Sequence, residues 1–162
     1  MRTFDQMRPS VRARRIVCRA AVGCLSALFI ASSAAAADIS GKAEVIDGGT
    51  IVIAGQTIQL DGIIAPGFAE LCGSAEHKWH CGQEAAFALA DAIGRSWVEC
   101  DIRDAGTLRR RVGVCRVGGP KGRDLGAWMA AQGWARNTAG YTALEKAAKA
   151  AGKGLWRDAT SR

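Results

Sequence analysis

The chain has 162 residues, the length of one domain, which argues against a multidomain architecture. It is basic overall, with 22 lysines and arginines against 15 acidic residues and a net charge of +7. Six of these arginines and one acidic residue lie in residues 1–37, which leaves 16 basic and 14 acidic residues in the remainder. A remaining charge of only +2 does not indicate a nucleic-acid partner.

The first 37 residues have the features of a secretory signal peptide. An arginine-rich segment is followed by an apolar run over residues 20–30 and by a string of small residues that ends at Ala37. The apolar run is shorter than the about 20 residues that a membrane-spanning helix needs. We therefore predict cleavage after Ala37, a mature domain over residues 38–162, no stable membrane anchor and a periplasmic or secreted location. The choice between the general and the twin-arginine export route stays open.

Alternation and β-branched residues predict three strands near the start of the mature domain, over residues 42–46, 50–54 and 57–63. The turn between the first two is Asp47-Gly48-Gly49, and Gly55-Gln56 connects the second to the third. These segments therefore predict an antiparallel meander.

Pro66 ends the third strand and begins a loop that extends to Cys81. The loop contains His77 and His80. They are candidates for a metal-binding or acid–base role if a helical turn places them on one side. Because no third ligand accompanies them, we favour a polar loop held by a disulfide. Trp79, in the same loop, is the tryptophan that we expect to contact a ligand.

The second half of the chain predicts helices over residues 82–93, 125–132 and 141–151, and strands over residues 96–102 and 110–117. Five strands with a helix after the third is the order of an OB-fold. We therefore predict a β-barrel plus α fold, a five-stranded OB-fold barrel with about three helices.

Four cysteines remain after removal of the signal peptide: Cys72, Cys81, Cys100 and Cys115. An even number of cysteines in an exported chain predicts two disulfides. A zinc site is the alternative, but neither close pair has the short spacing of zinc ligand pairs. Four cysteines allow three pairings, and their spacing does not choose among them.

A series of short motifs runs from Gly41 to Trp156. They are Asp47-Gly48-Gly49-Thr50, Gln59-Leu60, Gly62-Ile63-Ile64-Ala65-Pro66-Gly67, Cys81-Gly82-Gln83-Glu84-Ala85, Arg110-Arg111-Val112-Gly113-Val114-Cys115 and Gly154-Leu155-Trp156. In this order they resemble the thermonuclease (staphylococcal nuclease-like) family, in its exported bacterial form. The resemblance implies an OB-fold, an ancestral Ca²⁺-dependent nuclease activity, and the disulfides Cys72–Cys81 and Cys100–Cys115.

Phosphodiester hydrolysis of this kind needs carboxylates that hold a hard cation, a carboxylate that activates water, and cations that neutralise the phosphate. The resemblance implies metal-binding carboxylates at positions 49 and 64, the general base at 67, and arginines at 59 and 110. Here these positions are Gly49, Ile64, Gly67, Gln59 and Arg110. Arg110 is thus the one surviving catalytic position, and we predict no metal site and no intact catalytic centre.

The candidate ligand-binding residues are Asp47, Gln59, Asp61 and Arg110. The resemblance implies that Asp47 lies near the metal. Asp61 follows Gln59 by two residues, so a continuous strand would place both on one face. The alternative for Asp61 is an exposed carboxylate on the barrel wall. Arg110 belongs to a run of three arginines, residues 109–111, which either meets an anion at the old site or forms a solvated strand edge.

We therefore expect an eroded nuclease-like protein that acts as a non-catalytic binding module or as an accessory of the envelope or of exopolysaccharide synthesis. Its expected ligand is a polyanion or an oligosaccharide, with nucleic acid as a further possibility and no cofactor. The alternative is a nuclease with residual or rearranged activity, for which Ca²⁺ is the cofactor. A third hypothesis, a structural partner-binding protein, predicts a large exposed apolar patch.

Overall fold

The computed structural model describes residues 39–107 and 110–157, all within one of the two units into which the chain divides, Ala34–Arg162. The described strands are β1 (Ile39–Gly41), β2 (Ala43–Asp47), β3 (Thr50–Ile53), β4 (Gln56–Leu60), β5 (Ile63–Ile64), β6 (Cys72–Gly73), β7 (Lys78–Trp79), β8 (Val98–Thr107), β9 (Arg110–Val117), β10 (Arg123–Asp124) and β11 (Arg136–Asn137). The described helices are α1 (Cys81–Ile93), α2 (Leu125–Ala131), α3 (Thr142–Ala150) and a 3-10 turn (Gly154–Trp156). The predicted signal peptide, residues 1–37, and Arg109 lie outside the described residues.

Within those residues, seven strands form one mixed sheet in the order β1-β8-β9-β4-β3-β2, with β10 paired to β9. The pairing of β4 with β9 is parallel, and the other pairings in this sheet are antiparallel. The prediction of a mixed β and α fold with three helices is confirmed. The sheet has seven strands rather than the five predicted, because β1 precedes the first predicted strand and the two-residue β10 follows the last.

The two ends of the sheet are consecutive in the chain. β1 and β2 are separated only by Lys42, yet β1 pairs with β8 while β2 pairs with β3. At the bend the backbone runs close to β3, where a Cβ on Gly41 would come within 3.0 Å of Ile53 Cγ2. One bent segment therefore borders both edges of the remaining strands.

The core lies between the sheet and helices α1 and α2. The largest side chains that are fully buried in it include Ile51, Ile53, Ile58, Leu60, Leu89, Leu125 and Met129. Each contributes about 1.5–3 kcal/mol by leaving water. The residues that alternate with them on β3 and β4 are only partly buried, so the strands have one core face and one outward face.

The structure contains both disulfides that the family resemblance implies. Cys72–Cys81 closes the loop before α1, with its Cα atoms 5.5 Å apart, and Cys100–Cys115 joins the paired strands β8 and β9 with its Cα atoms 4.0 Å apart. Disulfides are characteristic of proteins outside the reducing cytosol. In the part of the chain that the structure describes, no helix has the length and apolarity required to cross a bilayer.

Candidate ligand-binding site

A row of paired residues crosses four strands on the outward face of the sheet. The pairs are Asp47–Thr50, Thr50–Gln59 and Gln59–Val112. Directly paired residues share a face, and the neighbours of Gln59 on β4 point into the core. Strands lie about 4.8 Å apart, so Asp47 and Gln59 lie about 10 Å apart along the row. The structure thus brings these two predicted ligand residues to one surface.

Arg110 reaches the same surface. It lies two residues before Val112 on β9, so strand alternation places it on the face of Gln59, and its side chain is exposed. Arg111, the next residue, is half-buried and its Nε donates to Gln56 Oε1 at 3.2 Å. Consecutive arginines therefore point to opposite faces, as predicted from the strand period, and Arg110 is the one available to a ligand on the row.

Asp47 has a local role at the turn between β2 and β3. Its Oδ1 accepts a hydrogen bond of 2.8 Å from the backbone N–H of Gly49, two residues later. This Asx-type bond stabilises the turn. A Cβ on Gly49 would lie 3.8 Å from the same oxygen and 3.4 Å from the Cβ of Ala65. Position 49 is thus close to Asp47 and to the segment after β5, but glycine supplies no ligand atom there.

The other positions at which the resemblance implies a carboxylate are also apolar or without a side chain. Ile64 is 57% exposed, and a Cβ on Gly67 would point into open space. A different acidic residue approaches this segment, because Glu70 Oε2 accepts a hydrogen bond of 3.1 Å from the N–H of Gly67. The acidic group nearest position 67 therefore comes from Glu70, three residues later in the loop.

Asp61 follows Gln59 by two residues but is not part of its strand. Strand β4 ends at Leu60, and the argument that alternation continues to Asp61 fails there because Asp61 begins a turn. Its backbone N–H donates to Gly113 O at 2.9 Å, and its charge acts on Tyr141. The structure therefore associates Asp61 with Tyr141 just beyond the end of β4.

Tyr141 is held by Asp124. The hydroxyl of Tyr141 lies 3.1 and 3.2 Å from the two carboxylate oxygens of Asp124, and Asp124 Oδ1 also accepts from the N–H of Ala127 as the N-cap of α2. Burial, then the charge and hydrogen bond of Asp124, and finally the charge of Asp61 raise the pKa of Tyr141 to about 12. The phenol therefore stays protonated and acts as a structural donor that ties α2 to the start of α3.

The implied Ca²⁺ does not fit the residues present at the positions to which the resemblance assigns its ligands. Ca²⁺ takes six to eight oxygen ligands, several of them carboxylates. The row supplies one carboxylate, Asp47, and that group already accepts the N–H of Gly49. Over residues 39–107 and 110–157, no cluster of three or more histidine, cysteine, aspartate or glutamate side chains is arranged to hold a metal. The residues at this site therefore support no metal-dependent step.

A pocket of about 360 Å³ opens beside β5 and the segment that follows it. Its lining includes Ile64, Pro66, Glu70, Leu71, Arg136 and Leu155. The two-residue strands β5 and β11 build one wall by pairing Arg136 directly with Ile64. The sequence patterns did not identify Glu70 or Arg136 as site residues, because Glu70 lies in a loop and Arg136 in a two-residue strand. The spacing of Glu70 from Gly67 is a weak signal of its role, and no local pattern points to Arg136.

The loop histidines and Trp79 differ in their surroundings. His77 and His80 are exposed, and the side chain of His80 makes no capping hydrogen bond at the start of α1. Trp79 packs edge-to-face on Trp134, with ring centroids 6.4 Å apart, and the guanidinium of Arg157 lies 3.7 Å from its ring centroid. This packing gives Trp79 a structural role, and its predicted contact with a ligand stays a prediction.

Comparison with known proteins identifies a relative. A search against models of known protein families finds no match. The chain is 34% identical over 141 residues to the succinoglycan biosynthesis protein ExoI of Rhizobium meliloti, and the match covers 82% of this chain and 73% of that protein. Identity of this level over most of both chains establishes common descent. The chain belongs to the family of the succinoglycan biosynthesis protein ExoI.

Proposed function

We propose that the protein is a non-catalytic binding module that serves exopolysaccharide biosynthesis outside the cytoplasm. The relationship to a protein named for succinoglycan biosynthesis supports this process. A role in the envelope also agrees with the two disulfides and with the predicted signal peptide. We further propose a periplasmic or secreted location.

We also propose that the scaffold is a thermonuclease-like OB-fold barrel. The bent segment β1–β2 supports this proposal, because it pairs with β8 on one side and with β3 on the other. Such double pairing is the way in which an OB-fold strand closes a barrel and removes exposed edges. OB-folds bind oligosaccharides as well as oligonucleotides, so the scaffold is compatible with a glycan ligand.

The observation that carries the proposal concerns the positions at which the resemblance implies a metal site. These positions lie close together, but they lack the carboxylates that such a site needs. Gly49 lies beside Asp47 and Ala65, so the turn and the segment after β5 meet. Ile64 and Gly67 have no acidic group, and the one carboxylate on the row, Asp47, stabilises its own turn. Hydrolysis of a phosphodiester needs a held cation and an activated water, and these residues supply neither.

A nuclease with residual or rearranged Ca²⁺-dependent activity is the second candidate. It is favoured by one observation, that Arg110 is exposed on the same face as Asp47 and Gln59. A cation on that face suits a phosphate oxygen. β9 lies between β8 and β4, so Arg110 is not on an edge strand, and its exposure agrees equally with a side chain that meets only solvent. An experiment separates the two candidates.

The experiment compares ligand classes on the purified protein. We expect succinoglycan to bind, as measured by calorimetry, and single-stranded DNA to remain uncleaved with either Ca²⁺ or chelator. Binding should survive chelation, since it needs no metal. Chelator-sensitive cleavage of DNA that is lost in Arg110→Ala would overturn the proposal in favour of the nuclease. Absence of binding to succinoglycan, with Ca²⁺ binding detected by calorimetry, would count against it equally.

A further inference from the structure

The pocket of about 360 Å³ beside β5 lies within the size range of small-ligand sites, which begins at about 300 Å³. At about 30 Å³ per water molecule, it holds roughly a dozen water-sized groups. One hexose unit has about that many non-hydrogen atoms. The pocket therefore matches a single sugar unit of a longer chain, with its neighbours extending into solvent.

The walls of the pocket combine apolar and charged groups in a way that suits a sugar. Ile64 and Leu71 are exposed apolar side chains, at 57% and 47% exposure, and they offer a surface for the C–H face of a pyranose ring. Arg136 contributes a guanidinium with several donors in a planar fork, and Glu70 contributes acceptor oxygens. Apolar contact and a few convergent polar groups are the composition expected of a ligand site.

The charges of Arg136 and Glu70 limit the kinds of ligand that suit the pocket. A guanidinium binds a carboxylate through two parallel hydrogen bonds, which favours an anionic group at one point of the ligand. Glu70 repels a second anion close by, and it accepts hydrogen bonds from neutral hydroxyls instead. A ligand with one carboxylate among many hydroxyls satisfies both residues. A nucleic acid, which carries a phosphate at every nucleotide, brings repeated charge past Glu70.

We propose that this pocket binds a carboxylate-bearing sugar unit of an acidic oligosaccharide, with Arg136 as the anion-recognising residue. This inference rests on the proposed function and specifies its ligand and its site. It also places the binding site at the segment of Ile64 and Ala65, which approaches the turn that holds Asp47.

Several contacts hold the pocket in a fixed shape before a ligand arrives. The Cys72–Cys81 disulfide anchors one wall, and the backbone N–H of Leu155 donates to Gly133 O at 2.9 Å on another. The guanidinium of Arg136 lies 5.9 Å from the ring centroid of Trp156, within the range of a cation–π contact. A site that is already ordered loses less conformational entropy on binding, so its contacts contribute more to affinity.

The test uses a pair of matched disaccharides on the purified full chain. Cellobiouronic acid carries one carboxylate, and cellobiose is its neutral counterpart. We expect an NMR titration to show tighter binding of the acid, with shifts concentrated on the signals of Ile64, Leu71 and the Trp156 indole. A charge-assisted hydrogen bond of about 1.5–3 kcal/mol corresponds to about a ten- to hundredfold preference for the acid.

Two pairs of variants separate recognition from structure. Arg136→Gln should weaken binding of the acid by about ten- to hundredfold and leave cellobiose unchanged. Arg123→Gln, at an exposed arginine on β10, is its control and should change neither. Ile64→Asp should weaken binding of the acid more than Ile64→Asn, which has the same shape without the charge. Because Ile64 is exposed, neither change disturbs the core.

The outcomes distinguish this inference from the proposed function. If succinoglycan binds the protein but Arg136→Gln weakens the acid and cellobiose equally, or changes neither, the pocket inference is overturned and the proposed function stands. If wild type shows no preference for the acid, the inference is overturned in the same way. If neither succinoglycan nor either disaccharide binds, both proposals fail.

Discussion

Replacing Gly49 with aspartate tests whether a carboxylate at this position meets the carboxylate of Asp47. A Cβ at position 49 makes ordinary van der Waals contact with Ala65, 3.4 Å away, so a side chain fits without displacing the backbone. The same Cβ lies 3.8 Å from Asp47 Oδ1. A carboxylate at position 49 must therefore share a small volume with the carboxylate of Asp47. Gly49→Asn is the matched control, because it has the same shape and no charge.

The size of the effect follows from Coulomb's law. Two like charges about 4 Å apart repel by about 1 kcal/mol in water and by about 4 kcal/mol at an effective dielectric constant of 20. Asp47 is only partly buried, which favours the lower half of that range. We therefore expect Gly49→Asp to be about 1–2 kcal/mol less stable than Gly49→Asn at neutral pH. At roughly 4 °C per kcal/mol, this is a difference of about 4–8 °C in Tm.

The assay is thermal unfolding of both variants as a function of pH and Ca²⁺. Repulsion raises the pKa of the carboxylate pair in the folded state, so the destabilisation is present above that pKa and is lost as the pH falls through it. Millimolar Ca²⁺ should narrow the gap at neutral pH, because two adjacent carboxylates attract a hard cation. Equal stability of the two variants at every pH would show that the side chains at positions 47 and 49 do not approach each other, which would refute the geometry given for this turn.

Three further predictions concern the scaffold. Replacing both Cys100 and Cys115 with alanine should lower the free energy of unfolding in denaturant by about 3 kcal/mol, since 15 residues separate them. An unchanged denaturation midpoint would contradict this. Tyr141 is the only tyrosine in the chain, so the ultraviolet phenolate titration reports it alone and should have its midpoint at about 12. Its raised pKa implies a stabilisation that is complete below about pH 10 and lost as the pH rises through 12. A midpoint near 10, the ordinary value, would show that the phenol is not held. Asp124→Ala should cost about 1–2 kcal/mol through loss of the α2 cap, with Asp124→Asn retaining most of it; equal stability of the two variants would argue against the cap.

The parts of the fold that follow from local patterns were predictable. The alternation through Ile51, Ile53 and Ile58 identified two core strands, because a strand buries every second side chain. Gly94, which follows the last apolar position of α1, marked the end of that helix, and it adopts φ +55°. The four remaining cysteines indicated two disulfides through their number and predicted compartment. Each of these signals lies within a short window of sequence.

The parts that depend on distant contacts were not predictable from such windows. β5 and β11 are each two residues long, too short to show an alternation of apolar and polar residues. Their pairing of Ile64 with Arg136 therefore could not be predicted from periodicity. The argument that grouped Asp61 with Gln59 assumed a strand that in fact ends at Leu60. Trp79 and its partner Trp134 lie in segments far apart in the sequence, so their packing had no local signature. The residues that line the pocket are therefore brought together by long-range pairing, which local sequence patterns do not predict.

The carboxylate of Asp47 has a structural role that does not involve a metal. Its oxygen accepts the N–H of Gly49 and closes the turn that carries β2 into β3, a bond that needs no cation. This single carboxylate is therefore no sign of a working cation site. The charged groups of the neighbouring pocket also make contacts within the protein, since Glu70 accepts the N–H of Gly67 and Arg136 lies 5.9 Å from the ring centroid of Trp156. The guanidinium of Arg136 nevertheless lines a pocket wall directly across the strand pair from Ile64. Ile64 places no negative charge beside that guanidinium, which leaves the pocket more favourable for an anionic ligand than a carboxylate at position 64 would.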